Sequence, residues 1–246
     1  MTMPKSFIQI SDSHIDDEKL VMGVDSQANL AAVVEHISKQ TYDALVFSGD
    51  LSHNGTMSSY IQIKEILKPL SNNAFILHGN HDNKSNLSKI FSNSLQCNFQ
   101  LYDWEIITID SVQNEKISGR LSDQRLLTMT DEIKLSSAKY IVLCLHHPVV
   151  PMQSSWNDGL SLENPEDFFD AISQFPKVRA VIWGHAHQSG EFNRDNIKLF
   201  SCPSTAVQFC GPLSIGYNHY TLYANGEIYC RTRWFDYCLG KYTGAE

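Results

Sequence analysis

The sequence lacks the features that mark several large classes of protein. No apolar run approaches the about 20 residues of a membrane span, since the longest, around Tyr140 to Leu145, has the length of a strand. The opening residues, MTMPKSFIQISD, contain one Lys and no apolar segment with a cleavage site, so we expect no secretory signal, no membrane contact and a cytoplasmic location. Basic residues are few, 19 against 27 acidic ones, which gives a formal net charge of -8. A basic groove for nucleic acid is therefore not expected.

Cysteine pairs at metal-binding spacing are also missing. None of the six cysteines forms a C-x-x-C pair, and several lie inside apolar stretches, where a free thiol packs as a small hydrophobic group. Without a secretory signal we expect these thiols to be reduced and to serve as filler of the core and surface. They are Cys97, Cys144, Cys202, Cys210, Cys230 and Cys238.

The chain shows no internal repeat, proline-rich linker or change of composition that would mark a domain boundary. With 246 residues, 42% of them apolar, it can bury a core of ordinary size. We therefore predict one domain over residues 1–246, with a mainly β C-terminal part from about residue 197. The sequence is compatible with a monomer and with a homodimer.

Short apolar runs alternate with helical patterns along most of the chain. The helical patterns cover residues 27–40, 58–70, 122–136 and 165–175, the third with Ser122 as a candidate N-cap. After Lys198 the pattern is mostly that of strands, with a hairpin turn at Asn225-Gly226. This order predicts an α/β sandwich of two layered sheets with helices on the outside. The predicted strands are SFIQIS, ALVFSG, AFILHG, EIITID, YIVLCLHH and VRAVIWGH.

Five of these strands are followed directly by polar residues able to bind metal. Ligands in α/β proteins bind outside the carboxyl ends of the strands, so five such coincidences indicate a site. Imidazole, carboxylate and amide donors without thiolate suit Mn, Fe, Zn, Co or Ni. A carboxylate can bridge two ions, and a pair of divalent ions would keep the site positive in an acidic chain. The five groups are Asp12-Ser13-His14, Gly49-Asp50, Gly79-Asn80-His81-Asp82, His146-His147-Pro148 and Gly184-His185-Ala186-His187.

Together and in this order, these groups resemble the signature of the calcineurin-like metallophosphoesterases. Three further stretches are similar to those of the class III cyclic-nucleotide phosphodiesterases, among which the bacterial cyclic-AMP enzymes are most alike. The stretches are residues 23–26 (GVDS), 155–158 (SWND) and 203–209 (PSTAVQF). The resemblance implies the two-sheet metallophosphoesterase sandwich and a dinuclear metal site, with Mn²⁺ or Fe²⁺ expected and Zn²⁺ or Co²⁺ also compatible.

The resemblance also implies a role for each residue of the signature. Asp12, His14 and His187 would hold one ion, and Asp50 would bridge it to the second. The second ion would be held by Asn80, His146 and His185. His81 would be the catalytic group that stabilises phosphoryl charge or protonates the leaving alkoxide, and Asp82 would orient it. The substrate would contact His14, Asn80, His81 and Trp156.

Several positions keep two interpretations at this stage. The family places a ligand two residues before Pro148, which favours His146 over His147. Trp156 would either stack on a nucleotide base or anchor its own loop. His53 could reach the site, although a role in its loop is the simpler expectation, and His78 is expected to be a packed, hydrogen-bonded residue.

The sequence thus predicts a phosphodiesterase that hydrolyses 3′,5′-cyclic nucleotides, cyclic AMP to 5′-AMP, by a hydroxide that bridges two metal ions. The alternative is a broader phosphodiesterase acting on glycerophosphodiesters or other small diesters. A phosphomonoesterase fits the later segments less well. A binding module that lost turnover is disfavoured because every residue of the signature is present.

Overall fold

The computed structural model describes residues 3–70, 74–154, 158–209 and 214–236, and its strands form two sheets. The first sheet contains β1 (Lys5–Ile10), β2 (Ala44–Ser48), β3 (Ala74–Leu77), β10 (Ser214–Leu222) and β11 (Ile228–Asp236), in the spatial order β11-β10-β1-β2-β3. The second contains β4 (Phe99–Leu101), β5 (Trp104–Ile109), β6 (Tyr140–Leu145), β7 (Val178–Trp183), β8 (Gly190–Arg194) and β9 (Ile197–Ser201), in the order β4-β5-β6-β7-β9-β8.

The central strands of each sheet are parallel. In the first sheet β1, β2 and β3 run in one direction and β10 pairs antiparallel with β1. In the second sheet β5, β6, β7 and β9 are parallel, whereas β4 and β8 are antiparallel edge strands. Parallel strands end at the same edge, so the residues that follow β1, β2 and β3 are neighbours, as are those that follow β6 and β7.

Helices cover the outer face of each sheet. The helices α1 (Ser26–Ile37), α2 (Met57–Leu67) and α3 (Lys84–Phe91) share a core with β1, β2 and β3, and α4 (Asp123–Leu135) and α5 (Pro165–Ser173) share one with β5, β6 and β7. A third core lies between the two sheets. The order of layers is helix, sheet, sheet, helix, which confirms the predicted fold class.

Inner strands such as β6 are continuous apolar runs because both of their faces are buried. On β6, Val142 and Cys144 point into the core between the sheets, whereas Ile141, Leu143 and Leu145 point toward the helices. All five are fully buried. Alternate side chains of β6 therefore pack into two different cores, and no polar residue interrupts this apolar run.

Local signals in the sequence predicted most of the helices, strands and turns, but not all of them. Ser122 caps α4, since its Oγ accepts the amide of Arg125 at 3.3 Å, and the predicted turn at Asn225-Gly226 joins β10 to β11. The helix predicted over residues 27–40 ends at Ile37, where Ser38 is the C-cap. No helix was predicted over α3, whose single buried residue is Leu87.

The described residues include four of the six cysteines. Cys97, Cys144, Cys202 and Cys230 are free thiols, and Cys210 and Cys238 lie outside the described residues. Across the described ranges, no helix combines the length and the apolar character needed to cross a bilayer. The prediction of a single domain with a mainly β end stays a prediction, although the elements found after residue 189 in the described part are all strands.

Candidate metal centre

The loops that leave five strands bring the predicted ligands to one place between the sheets. Four groups of His and Asp side chains have donor atoms that lie within 4.8 Å of one another, and these groups share members. The ligands predicted from the sequence are all buried, except Asn80, which is half-buried. The groups are His14 with His53 and His81, His146 with His147 and His185, Asp12 with His14 and His187, and Asp12 with Asp50 and His146.

The backbone at five of the predicted ligands adopts the left-handed conformation. Their φ angles lie between 44° and 61°, at Asp12, His14, Asp50, His185 and His187. A residue with a Cβ is uncommon in this region, and each instance costs about 1–3 kcal/mol. This conformation turns the chain sharply just beyond the strand end, which directs side chains from different loops at the same point.

Glycines before the ligands allow these loops to approach one another. A Cβ at Gly79 would overlap the carboxylate of Asp50, and a Cβ at Gly184 would overlap Ser11 and the carboxylate of Asp12. The Gly-Asn and Gly-His pairs of the signature therefore have a steric reason, because the residue before the ligand must leave room for a carboxylate from the other loop.

The first predicted set of ligands consists of Asp12, His14 and His187. The Nε2 atoms of His14 and His187 are 3.0 Å apart, and His187 Nε2 is 3.6 Å from Asp12 Oδ1. Asp50 Oδ2 lies 3.7 Å from His14 Nε2. The main-chain amide of His185 donates to both oxygens of Asp12, at 3.1 and 3.0 Å, and fixes that carboxylate.

The second predicted set surrounds the amide oxygen of Asn80. His146 Nε2 is 3.2 Å and His185 Nδ1 is 3.0 Å from Asn80 Oδ1. Asp50 Oδ2, the atom that approaches His14 in the first set, is 3.4 Å from His146 Nε2. Asp50 thus contacts both sets through one oxygen, which is the position that a bridging carboxylate requires.

Main-chain carbonyls orient two of these imidazoles. His146 Nδ1 is 2.8 Å from the carbonyl of Ser48, and His187 Nδ1 is 2.7 Å from the carbonyl of Val207. A carbonyl can only accept, so in each ring Nδ1 carries a proton and donates it. The neutral ring then presents the lone pair of Nε2 to the site, which is the tautomer that binds a metal ion.

Burial and charge set the protonation of the site in the absence of a cation. Burial lowers the pKa of His14 and His185 well below the usual range and that of His187 to about 4, so these rings are neutral at pH 7. Burial also raises the pKa of Asp12 to about 7, because the protein supplies this carboxylate with too little positive charge.

Asp50 and His146 form the charged pair of the site. Burial alone would raise the pKa of Asp50, but the adjacent His146 outweighs it and holds that pKa well below the ordinary value. Burial would likewise lower the pKa of His146, whereas Asp50 raises it to about 9. Without a cation, the proton on His146 is what neutralises the buried Asp50.

The residues present fit a pair of divalent ions. The Nε2 atoms of His14 and His187 face one another at 3.0 Å, and two further imidazole nitrogens lie 3.0–3.2 Å from the amide oxygen of Asn80. A cation at either place would be bound by the lone pairs that these atoms present in the deprotonated rings. The buried carboxylate of Asp12 would also be stabilised by a nearby positive charge. The donors are carboxylate and amide oxygens with imidazole nitrogens, the set that first-row divalent ions prefer.

His81 faces this cluster from the β3 loop. Its main-chain amide donates to Asp50 Oδ1 at 2.8 Å, and its ring lies edge-on to that of His14, with centroids 4.8 Å apart. Its Nδ1 donates to the carbonyl of His53 at 2.9 Å, so Nε2 remains for a substrate. This placement is compatible with the predicted contact to the phosphoryl group.

Asp82 occupies a different position from the one predicted. Its carboxylate accepts the amides of Leu51 at 3.2 Å, Ser52 at 3.0 Å and Gly79 at 2.9 Å, together with the hydroxyl of Tyr60 at 3.0 Å. It therefore ties the β2 loop to the β3 loop. The expectation that it orients the His81 ring is corrected, since the His53 carbonyl occupies that position.

The structure separates the two adjacent histidines after β6. His146 points to Asn80 and Asp50, whereas both ring nitrogens of His147 are engaged elsewhere. His147 Nδ1 is 2.8 Å from Ser111 Oγ, and its Nε2 is 2.9 Å from the carbonyl of Ile117. This arrangement supports His146 as the ligand and gives His147 a role in holding the neighbouring loop.

Phe209 and His53 lie beside the predicted ligands. Trp156 lies outside the described residues, so both of its interpretations stay predictions. Phe209 stacks on His187 with centroids 4.1 Å apart, a contact that the sequence did not reveal. His53, whose side chain we expected to serve its loop, stacks on His81 at 5.1 Å and lies beside His14.

Comparison with known proteins identifies the family. The sequence profile of the calcineurin-like phosphoesterases matches residues 5–189. The chain belongs to this family. Membership implies two divalent metal ions, in agreement with the donors described above.

Relatives cover nearly the whole chain. A protein of Ruthia magnifica named "Probable cyclic nucleotide phosphodiesterase" is 47% identical over 232 residues, which are 94% of this chain and 99% of that protein. The "3′,5′-cyclic adenosine monophosphate phosphodiesterase CpdA" of Vibrio vulnificus is 32% identical over 237 residues, 90% of this chain and 86% of that one.

A solved structure supports the fold. A dimetal phosphatase from Danio rerio superposes with a TM-score of 0.76 at 14% identity and covers 95% of this chain and 99% of its own. At this identity the likeness concerns the arrangement of sheets and helices alone.

Proposed function

We propose that this protein is a phosphodiesterase that hydrolyses 3′,5′-cyclic nucleotides, cyclic AMP to 5′-AMP. The observation that carries the proposal is the position of Asp50, whose Oδ2 approaches His14 Nε2 at 3.7 Å and His146 Nε2 at 3.4 Å, between two sets of buried donors. The substrate class is supported by the names of relatives that are 47% and 32% identical over most of the chain.

We propose two metal sites that share Asp50. Asp12, His14 and His187 would hold one ion, and Asn80, His146 and His185 the other. Mn²⁺ or Fe²⁺ is proposed, as the family resemblance implies, and the mixed nitrogen and oxygen donors without thiolate are also compatible with Zn²⁺ or Co²⁺. Divalent ions in these sites would supply Lewis acidity, which lowers the pKa of water and neutralises phosphoryl charge.

The chain's own residues would then position the substrate and move one proton. His81 Nδ1 donates to the His53 carbonyl, so a protonated His81 has its second N–H, on Nε2, available for a phosphoryl oxygen or the leaving 3′ oxygen. Its main-chain amide, held by Asp50 Oδ1 at 2.8 Å, keeps the ring beside the ligands. The hydrogen bonds of Asp82 keep the β2 and β3 loops together and thus preserve this distance.

The test compares three diesters with the same protein. Metal-free protein reloaded with Mn²⁺ or Fe²⁺ is given cyclic AMP, bis(p-nitrophenyl) phosphate and glycerophosphoethanolamine in parallel, and the products are identified. We expect kcat/KM to be highest for cyclic AMP, with 5′-AMP as the product and no turnover by the metal-free protein. A clear preference for the aryl or glycerol diester would keep the metal sites and overturn the substrate class.

A further inference from the structure

The Nδ1 atom of His14, on the side of the ring away from the proposed metal site, is held differently from the Nδ1 atoms of His146 and His187. The Nδ1 atoms of His146 and His187 donate to main-chain carbonyls. His14 Nδ1 instead faces the ring of His53 and lies 3.4 Å from Nδ1 of that ring. No other partner of His14 Nδ1 is found among the residues that the structure describes.

We propose that His53 is a positioning residue that fixes His14 in its metal-binding tautomer. The inference rests on the proposed function, in which His14 Nε2 is a ligand. For Nε2 to offer its lone pair, the proton of the neutral His14 ring must be on Nδ1, and a proton there needs an acceptor. The Nδ1 of His53 accepts it when His53 carries its own proton on Nε2.

The backbone holds His53 firmly in this position. Its amide donates to the carbonyl of Ile15 at 2.9 Å, and Ser52 forms a bridge to Ile15, so the β2 loop continues alongside the β1 loop past the strand ends. Next to it, Asn54 Nδ2 donates to the buried Asp16 at 2.5 Å. These contacts align two loops that carry metal ligands and place the ring of His53 beside that of His14.

The same residue also constrains His81. The main-chain carbonyl of His53 accepts the Nδ1 proton of His81 at 2.9 Å, and the two rings stack with an interplanar angle of 20°. The hydrogen bond to His81 is made by the main chain of residue 53 and survives substitution there, whereas the ring stacking on His81 and the contact to His14 are made by the side chain. Substitution by Asn and substitution by Leu both remove the stacking on His81, so a difference in metal affinity between them reports the contact to His14 alone.

Two substitutions of nearly equal size test the side chain. In His53→Asn an amide oxygen takes the place of Nδ1 and can accept the proton of His14. In His53→Leu a side chain of the same branched shape offers no hydrogen-bond acceptor. Metal-free wild type and variants are titrated with Mn²⁺ by calorimetry, which reports the affinity of each ion without turnover.

We expect His53→Leu to weaken one of the two binding events by about 10–100-fold, the usual effect of losing a partner behind a metal ligand. His53→Asn should stay within about threefold of the wild type, and the second binding event should not change in either variant. Higher Mn²⁺ should restore turnover of His53→Leu. His36→Asn, which changes a histidine on α1, is the control for general effects and should bind as the wild type does.

Equal affinities for the Leu and Asn variants would overturn the proposal. If His53→Leu does not fold, as judged from the melting of the metal-free protein, His53→Gln replaces it, because its amide lies one bond too far out to stand in for Nδ1. A wild-type affinity in His53→Gln would overturn the proposal as well. Failure of the wild type itself to bind two ions would instead overturn the proposed function, and this inference with it.

Discussion

The two sheets contribute different chemistry to the same site. The first sheet supplies every oxygen donor, Asp12, Asp50 and Asn80, together with His14. The second supplies only imidazoles, from His146, His185 and His187. One sheet thus brings the negative charge and the other brings imidazoles, which are neutral when they bind an ion, and neither alone completes a proposed ligand set. Ions bound there would link the two sheets.

Direct polar contacts join the two sheets beside the site and also at the opposite end, where Trp104 Nε1 donates to the carbonyl of Tyr223 at 2.9 Å. Beside the site, His146 Nδ1 donates to the carbonyl of Ser48, and the amide of His185 donates to Asp12. Nearby, Gln9 Nε2 donates to the carbonyl of Trp183 at 3.1 Å. Between these two ends the interface that the structure describes is largely apolar, so the polar contacts at both ends fix the orientation of one sheet against the other.

The largest effect is expected at Asp50, which lies beside ligands from both sheets. Asp50→Asn keeps the size of the side chain but removes the charge that both proposed metal sites share. We expect loss of bound metal, measured by elemental analysis, and a fall in kcat/KM by at least about 10³-fold. Asp103→Asn, which alters an exposed ion pair with Lys139, should leave both quantities unchanged. Two ions bound to Asp50→Asn would contradict the bridging role.

The second sheet can be tested by its adjacent histidines. His146→Ala should lower occupancy of the second metal and abolish measurable turnover, as should Asn80→Ala. His147→Ala should cost about 1–3 kcal/mol of stability, because it removes the imidazole that contacts Ser111 Oγ and the Ile117 carbonyl. Its metal content should remain at two ions. Denaturant melts and metal analysis of the pair check this, and the reverse pattern would move the ligand to His147.

His81 allows chemistry to be separated from metal binding. His81→Ala removes the proposed proton donor but none of the proposed ligands, so two ions should remain bound. We expect kcat to fall by about 10²–10⁴-fold, the usual contribution of general acid–base catalysis. Single-turnover measurements on the metal-loaded variant check this, and a normal rate would exclude the role given to His81.

Removal of the metal should loosen the link between the sheets. Ions that bind only the folded protein stabilise it by about 2.7 kcal/mol per site at a hundredfold excess over Kd. Chelation should therefore lower the melting temperature, and the shift should grow with the Mn²⁺ concentration of the reference sample. The same treatment of Asp50→Asn should produce a much smaller shift. An equal shift would place the stabilising metal elsewhere.

The smallest effect concerns an ion-pair network beside the site. Asp110 pairs with His78 at 3.2 Å and with Arg125 at 2.7 Å. Burial opposes the charge of Asp110, but these partners outweigh it and hold its pKa below the ordinary value. A carboxyl with a lowered pKa stabilises the fold above its unfolded pKa of about 4, and the stabilisation is lost as the pH falls below that value.

Asp110→Asn should consequently cost about 1–3 kcal/mol at pH 7 and less at pH 3. Denaturant melts between pH 7 and pH 3 measure the difference between wild type and variant. A difference that does not shrink toward acid pH would show that the charge of Asp110 does not stabilise the fold.

Sequence patterns predicted the elements whose signals are local. Strands with both faces buried are continuous apolar runs, and polar residues directly after them identify the site without knowledge of the fold. The helix α3 escaped notice because it is short, with 8 residues, and its apolar face consists of only Leu87, Ile90 and Phe91. The end of α1 was placed too late because its apolar pattern does not show where Ser38 closes the helix.

The contacts of Asp82 and His53 could not have been predicted in the same way. They depend on how two loops lie side by side, and that alignment follows from left-handed residues such as Asp12 and Asp50, at φ 54° and 50°. A sequence reveals which side chains are present but not which of two neighbouring loops a carboxylate will reach. The correction at Asp82 is of this kind.

The position of β1 has a consequence for biosynthesis. This strand carries Asp12 and His14 at its end, yet it lies between β2 and β10, a strand that begins at Ser214. The N-terminal ligands therefore have a complete sheet around them only after most of the chain has left the ribosome, when His185 and His187 are also present. Closing contacts so distant in sequence is slow. The protein should acquire its ions after synthesis, from the pool available to the finished chain.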